Sequence, residues 1–326
     1  MPLAQASPSG IDDLIDDAQA KLQAGDDAGA LAVLARAAKV APRDPRPRYL
    51  SGAALAHEGK RPEAIAAWRS ALALDDRLPA VHNELGIALE DSGDLAGAAR
   101  EFRSATSLDR SVAASWLNLG RVLARAGDHA AAAAALAEGS KAVPRDADLR
   151  IDLSIALRHV NKPDEAVAVA RQAVALAPTA AARINLGLSL QHAGKLDEAA
   201  RELGAGVKLD AGSVGAWWAL GQVERDRKQW PAAITALERA RQLKESPAIV
   251  SDLIGVLRAS GDLERAQSTL GAALEKSPRS LALHVELVRM LVARKRCDGA
   301  RAELAKLPAD KVEVISLAAE TKRACP

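Results

Sequence analysis

The chain has 326 residues, of which 49% are hydrophobic but only 2% aromatic, so its core must be built from Ala, Leu and Val. Its 44 basic and 42 acidic side chains leave a net charge of +2, which argues against a general nucleic-acid binder with a basic face. No apolar run approaches the roughly 20 residues that span a bilayer; abundant alanine and an excess of arginine over lysine point to a GC-rich bacterial genome.

Residues 1–10 read as a disordered polar stub. Ala4-Gln5-Ala6 also has the small-x-small form of a cleavage site, so the stretch is either a plain polar start or the remnant of an export signal. Ile11, Asp12, Asp13, Leu14, Ile15, Asp16 and Asp17 then open a helix. Their carboxylates suit its positive N-terminal end, a reading preferred over a metal site.

From here a small residue returns at Ala30, Ala64, Ala98, Ala132, Ala166, Ala199, Ala233, Ala266 and Ala300, in steps of 33 or 34 residues. Repetition at this period marks a stacked array in which neighbouring units supply each other's stability. Twelve residues before the alanine stands Ala18, Gly52, Gly86, Gly120, Ser154, Gly187 or Gly221, and four after it Leu34, Trp68, Phe102, Leu136, Leu203, Leu237, Leu270 or Leu304. Intervals of three and four place such marks on one face of a helix. Five residues before the alanine, Gly25, Gly59, Gly93, Gly127, Asn161, Gly194 and Gly261 tolerate the left-handed conformation that ends a helix. Asp26, Asp94, Asp128 and Asp262 follow as N-caps, Pro62, Pro163 and Pro231 sit in opening turns, and Pro42, Pro144, Pro178 and Pro278 close their units.

In the fourth unit Trp116, Leu119, Gly120 and Leu123, followed by Ala132, Leu136 and Pro144, resemble the tetratricopeptide repeat, with leucines where that family often has tyrosine and phenylalanine. The resemblance covers residues 11–307. It implies an all-α, right-handed α-solenoid of about nine helix-turn-helix repeats, as one elongated domain. A capping helix is expected within 308–326. The late units depart from the pattern: Ile254 and Val288 replace the small residue of the first helix, and Lys228 and Lys295 replace the turn glycine, leaving helix spacing there open.

Near the end stand Cys297 and Cys325; if the last two helices pair antiparallel, both sulfurs come to the same end of that hairpin. They are either a disulfide stapling the terminal cap or two separate thiols in a reducing compartment. With the cleavage-like stub, an exported or periplasmic location is favoured over a cytoplasmic one. In the final helix Val312, Val314, Ile315, Leu317 and Ala318 are expected to cover the last unit, with Lys311, Glu313, Glu320 and Lys322 facing water.

No catalytic, phosphate-binding or metal motif is present, so neither an enzyme nor a cofactor is expected. His57, His159 and His192 recur at one offset and read as a stacked polar face, since no acidic or thiolate ligand recurs with them.

In the tetratricopeptide family the first helices line a concave groove. By that resemblance Ile87, Leu117, Ile151, Ile155, Ile184, Leu188 and Trp218 form an apolar floor, or else simply pack adjacent first helices. Glu84, Asn118, Asp152, Asn185 and Asp252 form a polar row beside it, and Arg121, Arg125, Arg158, His159, Gln191, His192, Arg225 and Arg258 a mainly basic one. Of the pair Trp217 and Trp218, one fills the inter-helix core and the other shows at the groove. The implied function is a non-enzymatic scaffold or adaptor that holds a protein or extended peptide, of acidic character given the arginines. The alternatives are an assembly subunit of an envelope or secretion complex, joined through its ends and convex face, and the recruiting half of an enzyme whose catalytic domain is another chain.

Overall fold

The computed structural model describes the backbone over residues 8–325 and side chains from residue 10 onward. Of the stub expected over 1–10, residues 1–7 lie outside the described part, while 8–10 belong to the first helix, which starts at Pro8. Proline fits there because a first-turn amide has no intrahelical acceptor to lose.

Among the described residues the fold is entirely helical. The chain divides into compact units at 1–169 and 170–326. The first contains α1 (Pro8–Gln23), α2 (Asp27–Val40), α3 (Arg46–His57), α4 (Arg61–Leu72), α5 (Pro79–Asp91), α6 (Leu95–Leu108), α7 (Ala113–Arg125), α8 (His129–Ala142) and α9 (Ala147–His159). The division falls within α10 (Pro163–Leu176). The second unit continues with α11 (Ala180–His192), α12 (Leu196–Leu209), α13 (Val214–Asp226), α14 (Trp230–Leu243), α15 (Pro247–Ala259), α16 (Leu263–Lys276), α17 (Leu281–Ala293), α18 (Cys297–Leu304) and α19 (Val312–Ala324). The odd-numbered helices α1 to α17 are the first of each pair. Within each unit they pack on their partners, as α5 does on α6 and α13 on α14, and also touch a neighbouring first helix, as α5 does α7 and α13 does α15.

The repeated marks meet across each pair. A methyl group built on Gly86 would lie 2.6 Å from the Phe102 ring, and one on Gly221 would lie 2.6 Å from Leu237. The small residue is therefore the socket for the large one, and alanine there is expected to cost about 1–3 kcal/mol by overpacking. Ile254 and Leu270 show that the late departures are repacked, because both are buried in one cluster.

Lys228 and Lys295, with φ of 59° and 57°, hold the left-handed conformation that Gly59 and Gly127 hold elsewhere, so the turn survives without glycine. All four expected aspartate caps accept an amide hydrogen from three residues on, from Asp26 with Gly29 at 2.9 Å to Asp262 with Arg265 at 3.1 Å. Asp146, Thr179, Ser213 and Ser246 do the same for first helices.

A further mark links pairs to the loops before them. Sixteen residues ahead of the repeated alanine, the Trp116 and Trp217 ring N–H groups donate to the carbonyls of Arg110 and Ala211. His82 and His284 use Nε2 on the carbonyls of Asp76 and Pro278, also six residues back. Each ring ties its helix to the preceding loop.

At the C-terminus α19 buries Val314, Leu317 and Thr321. Val312 and Ile315, expected to be covered, are 78% and 58% exposed. The buried stripe runs 314, 317, 321, and the Thr321 hydroxyl can occupy it because it donates to the Leu317 carbonyl at 2.8 Å. Cys297, the first residue of α18, is joined to Cys325 with the Cα atoms 5.5 Å apart.

Candidate functional site

On the first-helix face of residues 1–169, the polar side chains are tied from one first helix to the next. Asn118 on α7 donates through Nδ2 to Asn83 Oδ1 on α5 at 3.1 Å. Arg121 donates through Nε to Asp152 on α9 at 2.8 Å, and Arg125 pairs with Glu90 on α5. Burial raises the Asp152 carboxyl pKa, and the guanidinium of Arg121 offsets only part of that.

Arg158 on α9 is half-buried, with its Nε lacking a hydrogen-bond partner, and burial draws its pKa below the usual arginine value. His159 stacks on His129 of α8 with ring centroids 4.3 Å apart, a pairing not visible in the sequence. A cleft of about 210 Å³ opens between α7 and α9, bordered by Ala124, Ile155, His159 and the Arg121–Asp152 pair.

On the first-helix face of residues 170–326, Asp252 of α15 gathers three donors from α13. Trp218 Nε1 lies 2.6 Å and Gln222 Nε2 2.8 Å from Oδ2, and Arg225 lies 3.1 Å from Oδ1. One pair further on, Arg258 faces Glu286 on α17 at 3.6 Å, and Arg289 holds the other Glu286 oxygen at 2.8 Å. Glu286 is only 3% exposed, and the two guanidinium groups flank it from α15 and α17.

Trp218 and Arg225 thus meet, through Asp252. Gln191 is half-buried and His192 exposed at the end of α11. Asn185, placed in the groove by its offset, is 5% exposed and belongs to the packed interior of its helix pair. Ile184 likewise leans onto Gly206 of α12, where a methyl group would meet it at 2.6 Å. The other floor residues Ile87, Leu117, Ile151, Ile155 and Leu188 are only partly covered. Trp217 is the tryptophan bonded to its own loop and Trp218 the one at the face.

The basic row of the sequence is therefore largely paired within the chain. The carboxylates that neutralise it lie about one repeat away, and only helix stacking reveals them. Among the described residues no group of three or more His, Cys, Asp or Glu side chains converges as a metal site would, and no helix is long and apolar enough to cross a membrane.

The sequence matches the family described as tetratricopeptide repeat over residues 83–147, 151–213, 184–247 and 257–320. The chain belongs to the tetratricopeptide repeat family. Solved structures agree with the fold. The C-terminal part of a TPR repeat-containing protein from Cytophaga hutchinsonii aligns with a TM-score of 0.59 at 12% identity, over 73% of this chain and 99% of that one. PilW, a widely conserved type IV pilus biogenesis factor, aligns at 0.57 and 17% identity, over 64% and 98%. The APC/C hetero-tetramer Cut9–Hcn1 aligns at 0.55 and 17%, over 81% of this chain and 52% of the other. No curated protein matches the sequence. Tetratricopeptide arrays are non-catalytic interaction scaffolds, and this array is one of them.

Proposed function

We propose that this tetratricopeptide array recruits a protein partner by binding an extended segment of it on the first-helix face. The supporting observation is that polar groups on this face are fixed before any ligand arrives, by bonds such as Asn83–Asn118, Arg121–Asp152 and Arg225–Asp252. Beside them lie half-covered aliphatic side chains, among them Ile87 and Ile155. A surface ordered in advance loses little side-chain entropy on binding, and its amides and carboxylates can bond a peptide backbone. The acidic ligand expected from the arginines has less support, because Arg121, Arg125 and Arg225 already face carboxylates of the chain.

The test is affinity capture from the native organism's extract with wild type and a variant carrying Asn118→Ala, Arg125→Ala, Arg158→Ala and Arg225→Ala. Asn185 is left intact because it is buried. A protein retained by the wild type and lost by the variant, at equal helix content by circular dichroism, is the expected result. Equal retention by both sinks the reading.

The exposed Val312 and Ile315 on α19 favour a second reading, assembly through the C-terminal end. Size-exclusion chromatography with light scattering would show a multimer that Ile315→Glu converts to monomer. The joined Cys297 and Cys325 support an oxidising compartment; alkylation of intact cells before lysis should leave both cysteines unlabelled.

A further inference from the structure

Fourteen residues before the repeated alanine, the polar positions of the first helices are Asp16 on α1, which has no first helix before it, and Glu84, Asn118, Asp152, Asn185, Asp252 and Glu286. Where this residue is acidic, the preceding first helix supplies a cation from one of two registers. Arg121, eleven residues before its alanine, serves Asp152. Arg225 and Arg258, eight residues before theirs, serve Asp252 and Glu286. Glu84 on α5 is the exception. At the same two registers α3 has Ala53 and Ala56, of which Ala56 is exposed. The Glu84 carboxylate is half-buried and, among the described residues, has no hydrogen-bond or ion-pair partner. His57, at the end of α3, is turned to Asp27 at 3.3 Å. Tyr49 stands on α3 at the register that Trp218 holds at Asp252, and lies near enough to Glu84 for the carboxylate to help raise its phenol pKa.

We infer that the α3–α5 stretch of the first-helix face is a socket for a lysine or arginine side chain of the partner, with Glu84 as its counter-ion and the Tyr49 ring beside it. This rests on the first-helix face being the peptide-binding surface. The partner's cation takes the place that Arg225 occupies at Asp252, and Ala53 and Ala56 leave room for it. An arriving cation gains a charge-assisted bond and a ring face. It also relieves a carboxylate that burial alone drives toward its protonated form, since burial raises the Glu84 pKa and His57 offsets only part of that.

The socket can be tested with random nonapeptides displayed on phage and selected against wild type, Glu84→Gln and Ala56→Arg. With wild type, Lys and Arg should be enriched about tenfold at one peptide position, the discrimination of a single well-placed charge pair. That enrichment should vanish with both variants while the preferences at other positions persist. Enrichment without a basic position, or a basic position that survives Glu84→Gln, overturns the socket and leaves the peptide-binding face standing. Failure to select any peptide removes both. A second measurement needs no ligand. Ala56→Arg should raise the thermal midpoint when Glu84 is present and not in the Glu84→Gln background; equal effects in both backgrounds refute the register argument.

Discussion

The α3–α5 and α13–α15 stretches are two copies of one arrangement, finished differently. Around Asp252 the chain supplies every partner itself, with Trp218, Gln222 and Arg225 reaching across from α13. Around Glu84 the corresponding positions are Tyr49, Ala53 and Ala56, and the half-buried carboxylate has no cation bonded to it among the described residues. Their turns differ as well: Gly59 closes α3 at φ 75°, whereas Lys228 closes α13 at φ 59°. One site spends its charge on cohesion and the other holds it in reserve. A repeat array can therefore divide structural and binding duties among positions that are equivalent in register.

Removing the Asp252 carboxylate should break the comparison most strongly. Asp252→Ala leaves the Trp218 and Gln222 donors unpartnered while Arg225 keeps Asp226, and urea unfolding is expected to show a loss of about 2 kcal/mol. Exchanging the turns comes next. Gly59 has open space around the position of a Cβ, so Gly59→Ala carries only the left-handed backbone penalty, about 1 kcal/mol by the same measurement. Lys228→Gly should have the opposite sign and gain about 0.5–1 kcal/mol, because the strained residue is relieved at some cost in unfolded-state entropy.

The smallest effect is also the most diagnostic. Glu84→Gln is expected to stabilise the free protein at pH 7 by about 0.3 kcal/mol, discounted for the solvent that reaches the carboxylate. Burial raises the Glu84 pKa, so the stability tied to its bound proton is complete below the ordinary glutamate range and is lost as pH rises through the folded value. The difference between variant and wild type should therefore grow from about pH 4 to pH 7 in thermal melts. A difference that shrinks over that range would contradict the uncompensated carboxylate.

The helix pairs, their glycine turns and the aspartate caps were legible in the sequence because each depends on residues only a few positions apart, as Asp26 and Gly29 do. The ring tethers were hidden because Trp116, Trp217, His82 and His284 differ in side-chain type and share only a ring nitrogen at one register. The cross-helix pairs were hidden for another reason. Arg121 and Asp152 are 31 residues apart, and repeat spacing alone does not show which oxygen a guanidinium reaches. On α19 an apolar pattern over one short helix left two phases open, and Thr321 took a place in the buried one while Ile315 did not.

The link between Cys297 and Cys325 closes a loop 28 residues long around α18 and α19. A linear array whose units hold each other by nearest-neighbour contacts unzips from its ends inward. With that loop closed, the last two helices cannot peel away singly, and the first opening passes to α1 and α2. Hydrogen exchange should find the α1 amides faster than those of α19 in the oxidised protein, and the order reversed after reduction. The redox state of its surroundings would then decide from which terminus the protein comes apart.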